Sequence, residues 1–268
     1  MILNETITLF WTQKLIGVAV FFQTIELLSL KKEFGPHGIW NWETIQKDFK
    51  VFPPPLNWIF QLYLSYLGFL GTLTLRLTSA IGILIWPQPI FFVALVFTSL
   101  LVCARWRGTF NGGSDAITQA ILNALCVAAL GATFWPNHPK IVRGALLYIA
   151  LQSTLSYWIA GLVKIKVKEW RSGRALALFL HHPSYEVNPL AQKFSHWPWA
   201  CLSASWIVMG FECLFPWALF NRTACLILVG TAFCFHSINV YVFGLNRFLF
   251  AWVATYPSLF YISQTLRT

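Results

Sequence analysis

Long apolar segments recur along this chain, and they constrain its fold more than any other feature. Windows of about 20 residues follow one another, each bounded by charged residues, Pro, Asn or Gly. A helix of that length and composition spans the hydrocarbon core of a bilayer. Of the 268 residues, 57% are hydrophobic and only 10% are charged, whereas soluble domains typically have about 25% charged residues. The sequence therefore predicts a multi-pass membrane protein.

The predicted fold is an all-α, polytopic helix bundle with about eight spans. These spans cover approximately residues 10–30, 56–75, 77–104, 116–134, 141–163, 199–220, 224–243 and 248–263. Pro87 and Pro89 are expected to kink the third span. Residues 31–55 are predicted to lie at the interface, and residues 164–197 to form short interfacial or re-entrant helices. Since no internal repeat or soluble segment is visible, residues 1–268 are predicted to form one membrane domain.

The net charge of +10 raises the question of nucleic-acid binding. The basic residues occur in short segments between apolar runs, as in membrane loops, so anionic lipid headgroups or an acidic substrate are better candidates. The six cysteines lie in apolar stretches without metal-binding spacing, which is typical of small buried hydrophobic residues. The first apolar run contains Lys14 and Glu26, which favours a retained helix over a cleaved signal peptide.

The most basic segment directly follows the fifth span. Five cations occur between residues 164 and 174, with Glu169 among them. One interpretation is a basic stop at the membrane surface, with lysine side chains reaching the headgroups. The other concerns Lys164, where partial loss of water and the neighbouring cations would favour the neutral amine. A neutral lysine can act as a general base.

A second polar group lies inside the seventh span. His236 and Asn239 are three residues apart and share a helix face. A single histidine there can simply hydrogen-bond to a neighbouring helix. Alternatively, with Asn239 and with Glu212 of the preceding span, it would line a polar pocket and offer a hydrogen-bond donor or a proton relay.

A third candidate is the turn before the fourth span, formed by Asn111, Gly112, Gly113, Ser114 and Asp115. Ser114 or Asp115 is a natural N-cap for the next helix. The alternative is that backbone N–H groups at this helix start contact an anionic or quinone-like oxygen. The adjacent His181 and His182 would point to different helix faces, and without a third ligand nearby no metal site is predicted.

Several of these motifs resemble the horizontally transferred transmembrane (HTTM) domain family. They are Tyr-Trp-Ile-Ala-Gly at residues 157–161 followed by Lys164 and Trp170, the turn at 111–115, Phe-His-x-x-Asn at 235–239, Gly-Leu-Asn-Arg-Phe at 244–248 and Ala-Thr-Tyr-Pro at 254–257. The resemblance extends over essentially the whole chain. The family includes the membrane domain of vitamin K-dependent γ-glutamyl carboxylase and a bacterial membrane protein that matures a sporulation-delaying toxin.

The resemblance implies functional roles for individual residues. A lysine after such a Tyr-x-x-Ala-Gly segment is the base that deprotonates vitamin K hydroquinone in the carboxylase, and it corresponds to Lys164. The Phe-His-x-x-Asn element corresponds to His236 and Asn239. The carboxylase histidine in the Asn-Asn-His-Ser turn is replaced by Gly113, and the large extramembrane domain of the carboxylase is absent, so protein carboxylation does not follow.

The leading hypothesis is a membrane enzyme acting on a lipid quinol such as vitamin K hydroquinone. Lys164 would be the base, His236 and Asn239 would polarise a substrate oxygen, and the turn at 111–115, with Trp170 and Arg171, would shape the substrate site. The alternative is a non-catalytic maturation factor or scaffold for a secreted peptide or a thiol-disulfide oxidoreductase-like partner. A transporter would call for inverted repeats or paired broken helices, and neither is visible. The resemblance also implies the inner or plasma membrane of a bacterium.

Overall fold

The computed structural model of the protein describes residues 4–106, 113–138, 140–185 and 187–266. Within these ranges the regular structure is helical, and no strand is found. Two short 3₁₀ helices, Lys31–Phe34 and Gln46–Phe49, lie in the predicted interfacial stretch. The α-helices, in chain order, are α1 (Glu5–Ser29), α2 (Trp42–Ile45), α3 (Pro54–Leu64), α4 (Tyr66–Ile85), α5 (Pro89–Arg105), α6 (Asp115–Phe134), α7 (Lys140–Lys166), α8 (Lys168–Arg171), α9 (Arg174–Phe179), α10 (Pro189–Phe194), α11 (Pro198–Leu214), α12 (Trp217–Phe220), α13 (Arg222–Phe243), α14 (Asn246–Val253) and α15 (Tyr256–Thr265).

The chain divides into two compact units. The N-terminal unit comprises residues 13–145, and the C-terminal unit comprises residues 1–12 together with 146–268. Both boundaries fall within helices, α1 and α7. Whether the whole chain acts as a single domain stays a prediction.

Four of the described helices are long and apolar enough to cross a membrane: α4, α6, α7 and α13. Two shorter apolar helices, α5 and α11, have 17 residues each. The all-helical membrane fold is therefore confirmed. The sequence predicted eight spans, whereas four helices of the described chain meet these criteria. The predicted fourth, fifth and seventh spans correspond closely to α6, α7 and α13.

The second and third predicted spans were wrong in their boundaries. The backbone of Ser65 is extended, at φ −59° and ψ 163°, and ends α3. Its hydroxyl accepts a hydrogen bond from the N–H of Gly68 at 3.4 Å, as an N-cap of α4 does. Helix α4 then continues to Ile85, so the break lies eleven residues before the predicted one.

The prolines of the third predicted span end a helix instead of kinking one. Trp86 is extended at φ −144° and ψ 93°, and Pro89 occupies the first turn of α5. Proline restricts the preceding residue to extended conformations and is tolerated in the first turn of a helix. The last predicted span is likewise two helices, α14 and α15, with Pro257 in the first turn of α15.

The segment between α7 and α11 has the predicted character. It contains the short helices α8, α9 and α10, of four to six residues, none of which can span a bilayer. Gly173 precedes α9 with a φ of +75°, and a Cβ there would lie 2.5 Å from the backbone nitrogen of Leu202. Gly173 therefore permits the close packing of α8 and α9 against α11.

Candidate functional site

Lys164 lies in the last turn of α7 and forms an ion pair with Glu212 of α11. Its Nζ donates to Oε1 at 2.5 Å and to Oε2 at 2.7 Å. The Glu212 side chain is 4% exposed and that of Lys164 is 19% exposed. Nζ also lies 5.4 Å from the ring centroid of Trp170, within cation–π range. Besides the neighbouring cations of its own segment, Lys164 therefore has a carboxylate partner from a distant helix.

Gly161 allows the two helices to approach closely enough for this ion pair. A Cβ on Gly161 would lie 2.8 Å from Sγ of Cys213, 2.9 Å from its backbone nitrogen and 2.9 Å from Cβ of Glu212. Any larger residue would therefore separate α7 from α11. Gly161 and Lys164, three residues apart, share the face of α7 that contacts Glu212.

Lys164 of this pair borders a cavity of about 340 Å³, within the usual range for small-molecule sites. The cavity lies between the short interfacial segment and helices α11 and α13. Its wall combines aromatic and aliphatic side chains with the polar groups of Lys164, Ser205, Asn239 and Tyr185. The remaining lining residues are Trp170, Leu176, Phe179, Ala204, Val208, Phe235, Phe243, Leu245 and Phe248.

A second cavity of about 590 Å³ adjoins the first. Its wall is almost entirely apolar, with residues of α9, α10, α11 and α13. The two cavities share six lining residues: Leu176, Ala204, Val208, Phe235, Asn239 and Phe243. Asn239 thus lies at the junction between a compartment that contains polar groups and an apolar one.

His236 does not line either cavity. Its Nε2 forms a hydrogen bond of 2.7 Å with the hydroxyl of Tyr157, and its ring stacks on Trp252 at 5.3 Å between centroids. Phe235 and Phe248, which do line the polar cavity, also pack against the imidazole, with ring centroids 5.1 and 6.3 Å away. The sequence predicted one polar pocket lined by His236, Asn239 and Glu212. In the structure, Glu212 is bonded to Lys164 and only Asn239 lines the cavities, while His236 packs against aromatic residues of the cavity wall.

Trp170 and Arg171, both predicted to bind substrate, have different environments. Trp170 lines the polar cavity and packs against Phe179 at 5.8 Å between centroids. Arg171 is exposed and donates to the carbonyl oxygens of Ile165 and Lys166 at 2.7 and 3.0 Å. Its guanidinium therefore caps the C-terminus of α7, and it is absent from the described cavity walls.

The turn predicted to contact a quinone-like oxygen is described only in part. Asn111 and Gly112 lie outside the described residues. Gly113, Ser114 and Asp115 belong to the N-terminal unit, where α6 begins at Asp115 with the buried Ser114 at its N-cap position. The helix start is confirmed, and a contact with substrate stays a prediction.

Other polar residues of the sequence have local partners. Nε2 of His181 forms a hydrogen bond with the hydroxyl of Ser195 at 2.7 Å. Nζ of Lys14 donates to the carbonyl oxygens of Ile83 and Leu84 at 3.1 and 2.6 Å, at the end of α4. Among the described residues, no cluster of three or more His, Cys, Asp or Glu side chains has the geometry of a metal site.

Three residues of the site were missed or misplaced by the sequence analysis. Glu212 was predicted to share a pocket with His236. Its hydrogen-bond partner is instead Lys164, which lies 48 residues away in the sequence. Tyr157 belongs to a motif for which its own role was not predicted, and the sequence carries no signal for Ser205. The spacing of Tyr157, Gly161 and Lys164, at i, i+4 and i+7, is the signal that places all three on one face of α7.

The arrangement is suited to proton transfer beside an aromatic ligand. A lysine and a carboxylate in hydrogen-bond contact can share one proton, either as ammonium and carboxylate or as amine and carboxylic acid. The second form is uncharged, and surroundings poor in water reduce the cost of forming it. The aromatic wall offers faces for stacking, and Ser205 and Asn239 offer hydrogen bonds.

Helices long and apolar enough to cross a bilayer, with a lysine–glutamate pair beside a cavity, define a helical integral membrane protein with a candidate ligand site. The HTTM domain family matches residues 14–264, nearly the whole chain, and the chain belongs to this family. Neither the curated proteins nor the solved structures contain a significant match to the sequence.

Proposed function

We propose that the protein is a membrane enzyme that binds a lipid quinol and removes a proton from one of its hydroxyl groups. Lys164 is the base, and Glu212 is the residue that positions its amine and shares a proton with it. The observation that carries the proposal is the Lys164–Glu212 pair at the wall of an aromatic cavity.

The two adjoining cavities suit the two parts of such a molecule. The compartment of about 340 Å³, with Lys164, Ser205 and Asn239, has the volume and the polar groups for an aromatic headgroup with oxygen substituents. The compartment of about 590 Å³ is apolar and suits a hydrocarbon tail. A tail in that compartment would gain burial of about 0.8 kcal/mol per CH₂ group relative to water.

The bound quinol would supply the acidic hydroxyl group. In the uncharged form of the pair, the Lys164 amine accepts the proton, and the resulting ammonium lies beside the oxygen that has lost it. Aromatic residues exclude water, so this charge interaction is strong. Asn239, at the cavity junction, can donate its amide N–H to a ligand oxygen. His236 and Tyr157 hold the rings of the cavity wall in place.

Binding of a tail-free quinol to the purified protein tests the site. We expect Lys164→Met to weaken binding of 1,4-dihydroxynaphthalene at least about tenfold under anaerobic conditions, since a hydrogen bond to a charged group contributes about 1.5–3 kcal/mol. Lys168→Met is the matched control: Lys168 is exposed and does not line the described cavities, so binding should stay within about twofold. Equal affinity in the two variants would contradict the proposal.

Oxygen uptake tests whether the site is catalytic. With the reduced quinol in air, the unmodified protein should consume oxygen faster than the uncatalysed reaction, and Lys164→Met should not. A maturation factor or scaffold, the alternative function, would show no dependence of oxygen uptake on Lys164. It would instead retain its peptide or protein partner in the Lys164→Met variant.

A further inference from the structure

Ser205 is a buried polar residue without a partner at the wall of the polar cavity. It lies on α11, its exposed fraction is 0%, and it is one of the residues that line the cavity of about 340 Å³. Within the described part of the chain, its hydroxyl oxygen makes no hydrogen bond. A buried hydroxyl left in this state costs about 1–3 kcal/mol.

Several hydroxyl groups in these helices avoid that cost by bonding to their own helix. Serine and threonine side chains often donate to the carbonyl oxygen of the preceding turn. Five residues that do so at 2.6–2.9 Å are Thr12, Thr24, Thr98, Ser156 and Thr231. Ser205 has the same opportunity and does not use it, which leaves its hydroxyl available to a ligand in the cavity.

The position of Ser205 along α11 sets a distance to the ion pair. Ser205 and Glu212 are seven residues apart, so they share a helix face and are separated by about 10.5 Å along the axis. Because Nζ of Lys164 is bonded to the Glu212 carboxylate, the same spacing applies approximately from Ser205 to Lys164. For a separation of about 10.5 Å between the Ser205 hydroxyl and Nζ, two hydrogen bonds of about 2.8 Å leave about 5 Å between the two ligand atoms. Polar atoms on opposite sides of one six-membered ring have that separation.

We propose that the Ser205 hydroxyl binds the second oxygen of the ligand and makes the site selective for rings with oxygens at opposite positions. The inference rests on the proposed function, because it takes Lys164 as the partner of the first oxygen. Tyr185 and Asn239 also bring polar atoms to the cavity wall, but both are only partly buried. Ser205 combines burial with a hydroxyl that has no hydrogen bond within the described part of the chain, so a ligand at this cavity wall is the partner that its position favours.

Two ligands that differ by one oxygen test the inference. 1,4-Dihydroxynaphthalene has both oxygens, and 1-naphthol has only the first; both are measured by equilibrium dialysis against the purified protein without oxygen. Ser205→Ala removes a single atom and should weaken binding of the dihydroxy compound about fivefold, as expected for a neutral hydrogen bond, while 1-naphthol binds as before. Ser203→Ala, an exposed serine of the same helix, is the control and should change neither affinity.

The outcomes separate this inference from the function on which it rests. If Ser205→Ala weakens both ligands equally, or neither, the role of Ser205 is refuted, even when Lys164→Met abolishes binding. The same holds if Ser203→Ala reproduces the effect. If the unmodified protein binds neither compound, or Lys164→Met binds both as tightly, the proposed function fails and the role of Ser205 fails with it.

Discussion

The two compact units each contain a largely buried cation near the end of a helix, and they accommodate it differently. In the N-terminal unit, Arg105 at the end of α5 is 1% exposed. Its guanidinium lies 5.4–5.9 Å from the ring centroids of Phe34, Trp42 and Phe69 and donates to the carbonyl oxygen of Trp40. Among the described residues, no carboxylate pairs with it.

In the C-terminal unit, Lys164 has both a carboxylate partner and an open side. Glu212 binds its Nζ from α11, while the cavity borders it on another side. Arg105 is enclosed by rings and can only stabilise the packing of its neighbours. Lys164 lines a cavity, and in the proposed function it reaches a ligand there and exchanges a proton with it. The comparison teaches that the two cations differ in contact with a cavity more than in burial of charge, and the proposed function rests on that difference.

The largest effect on stability should come from breaking the ion pair. Glu212→Leu leaves the Lys164 ammonium without its carboxylate, and we expect the free energy of unfolding to fall by about 3 kcal/mol, the low end for a buried pair because Lys164 is partly exposed. Lys164→Met combined with Glu212→Leu should recover most of this loss without restoring ligand binding. Denaturation in detergent measures both. A double variant no more stable than Glu212→Leu would show that the pair is not the cause.

A smaller effect is expected at Arg105, and it depends on shape more than on charge. Arg105→Ala removes the stem that packs against three aromatic rings and should cost about 2 kcal/mol of unfolding free energy. Arg105→Met keeps most of that volume and should stay within about 1 kcal/mol of the unmodified protein, since well-packed apolar replacements of buried ions are often neutral. Ligand affinity should not change in either variant. If the two variants are equally unstable, the guanidinium charge itself is required.

The smallest change concerns the approach of α7 to α11. Gly161→Ala places a methyl group within 3 Å of Cys213 and Glu212, and overpacking of this kind costs about 1–2 kcal/mol. Because the helices must separate, quinol affinity should fall as well. Gly144→Ala is the control on the same helix: no atom lies within 4 Å of its added Cβ, so stability should be unchanged or slightly higher. Equal effects in the two variants would remove the role of Gly161.

The fold could be predicted where hydropathy and charge define a helix on their own. Helices α6, α7 and α13 have this property, since each is a long apolar run with polar residues at its ends. The break at Ser65 could not be read in the same way, because it depends on one backbone conformation and one capping hydroxyl inside a continuous apolar stretch. Pro87 and Pro89 correctly mark an interruption, but hydropathy alone does not distinguish a kink within a helix from the end of one helix and the start of another.

The candidate site was predictable one helix at a time. Lys164 and Asn239 do border the same cavity, and both were singled out from their motifs. The pairing of Lys164 with Glu212 and the position of His236 behind the cavity wall depend on how distant helices pack, which spacing within a helix cannot reveal. Ser205 gave no signal in the sequence, since a serine in an apolar helix normally bonds to its own backbone.

A structure determined by electron cryo-microscopy with bound quinone tests the central claim most directly. We expect density for a ring in the compartment that contains Lys164 and Ser205, with one oxygen within hydrogen-bond distance of Nζ and the tail in the adjoining apolar compartment. Ring density elsewhere in the protein, with the Lys164–Glu212 pair facing only solvent or lipid, would contradict the account.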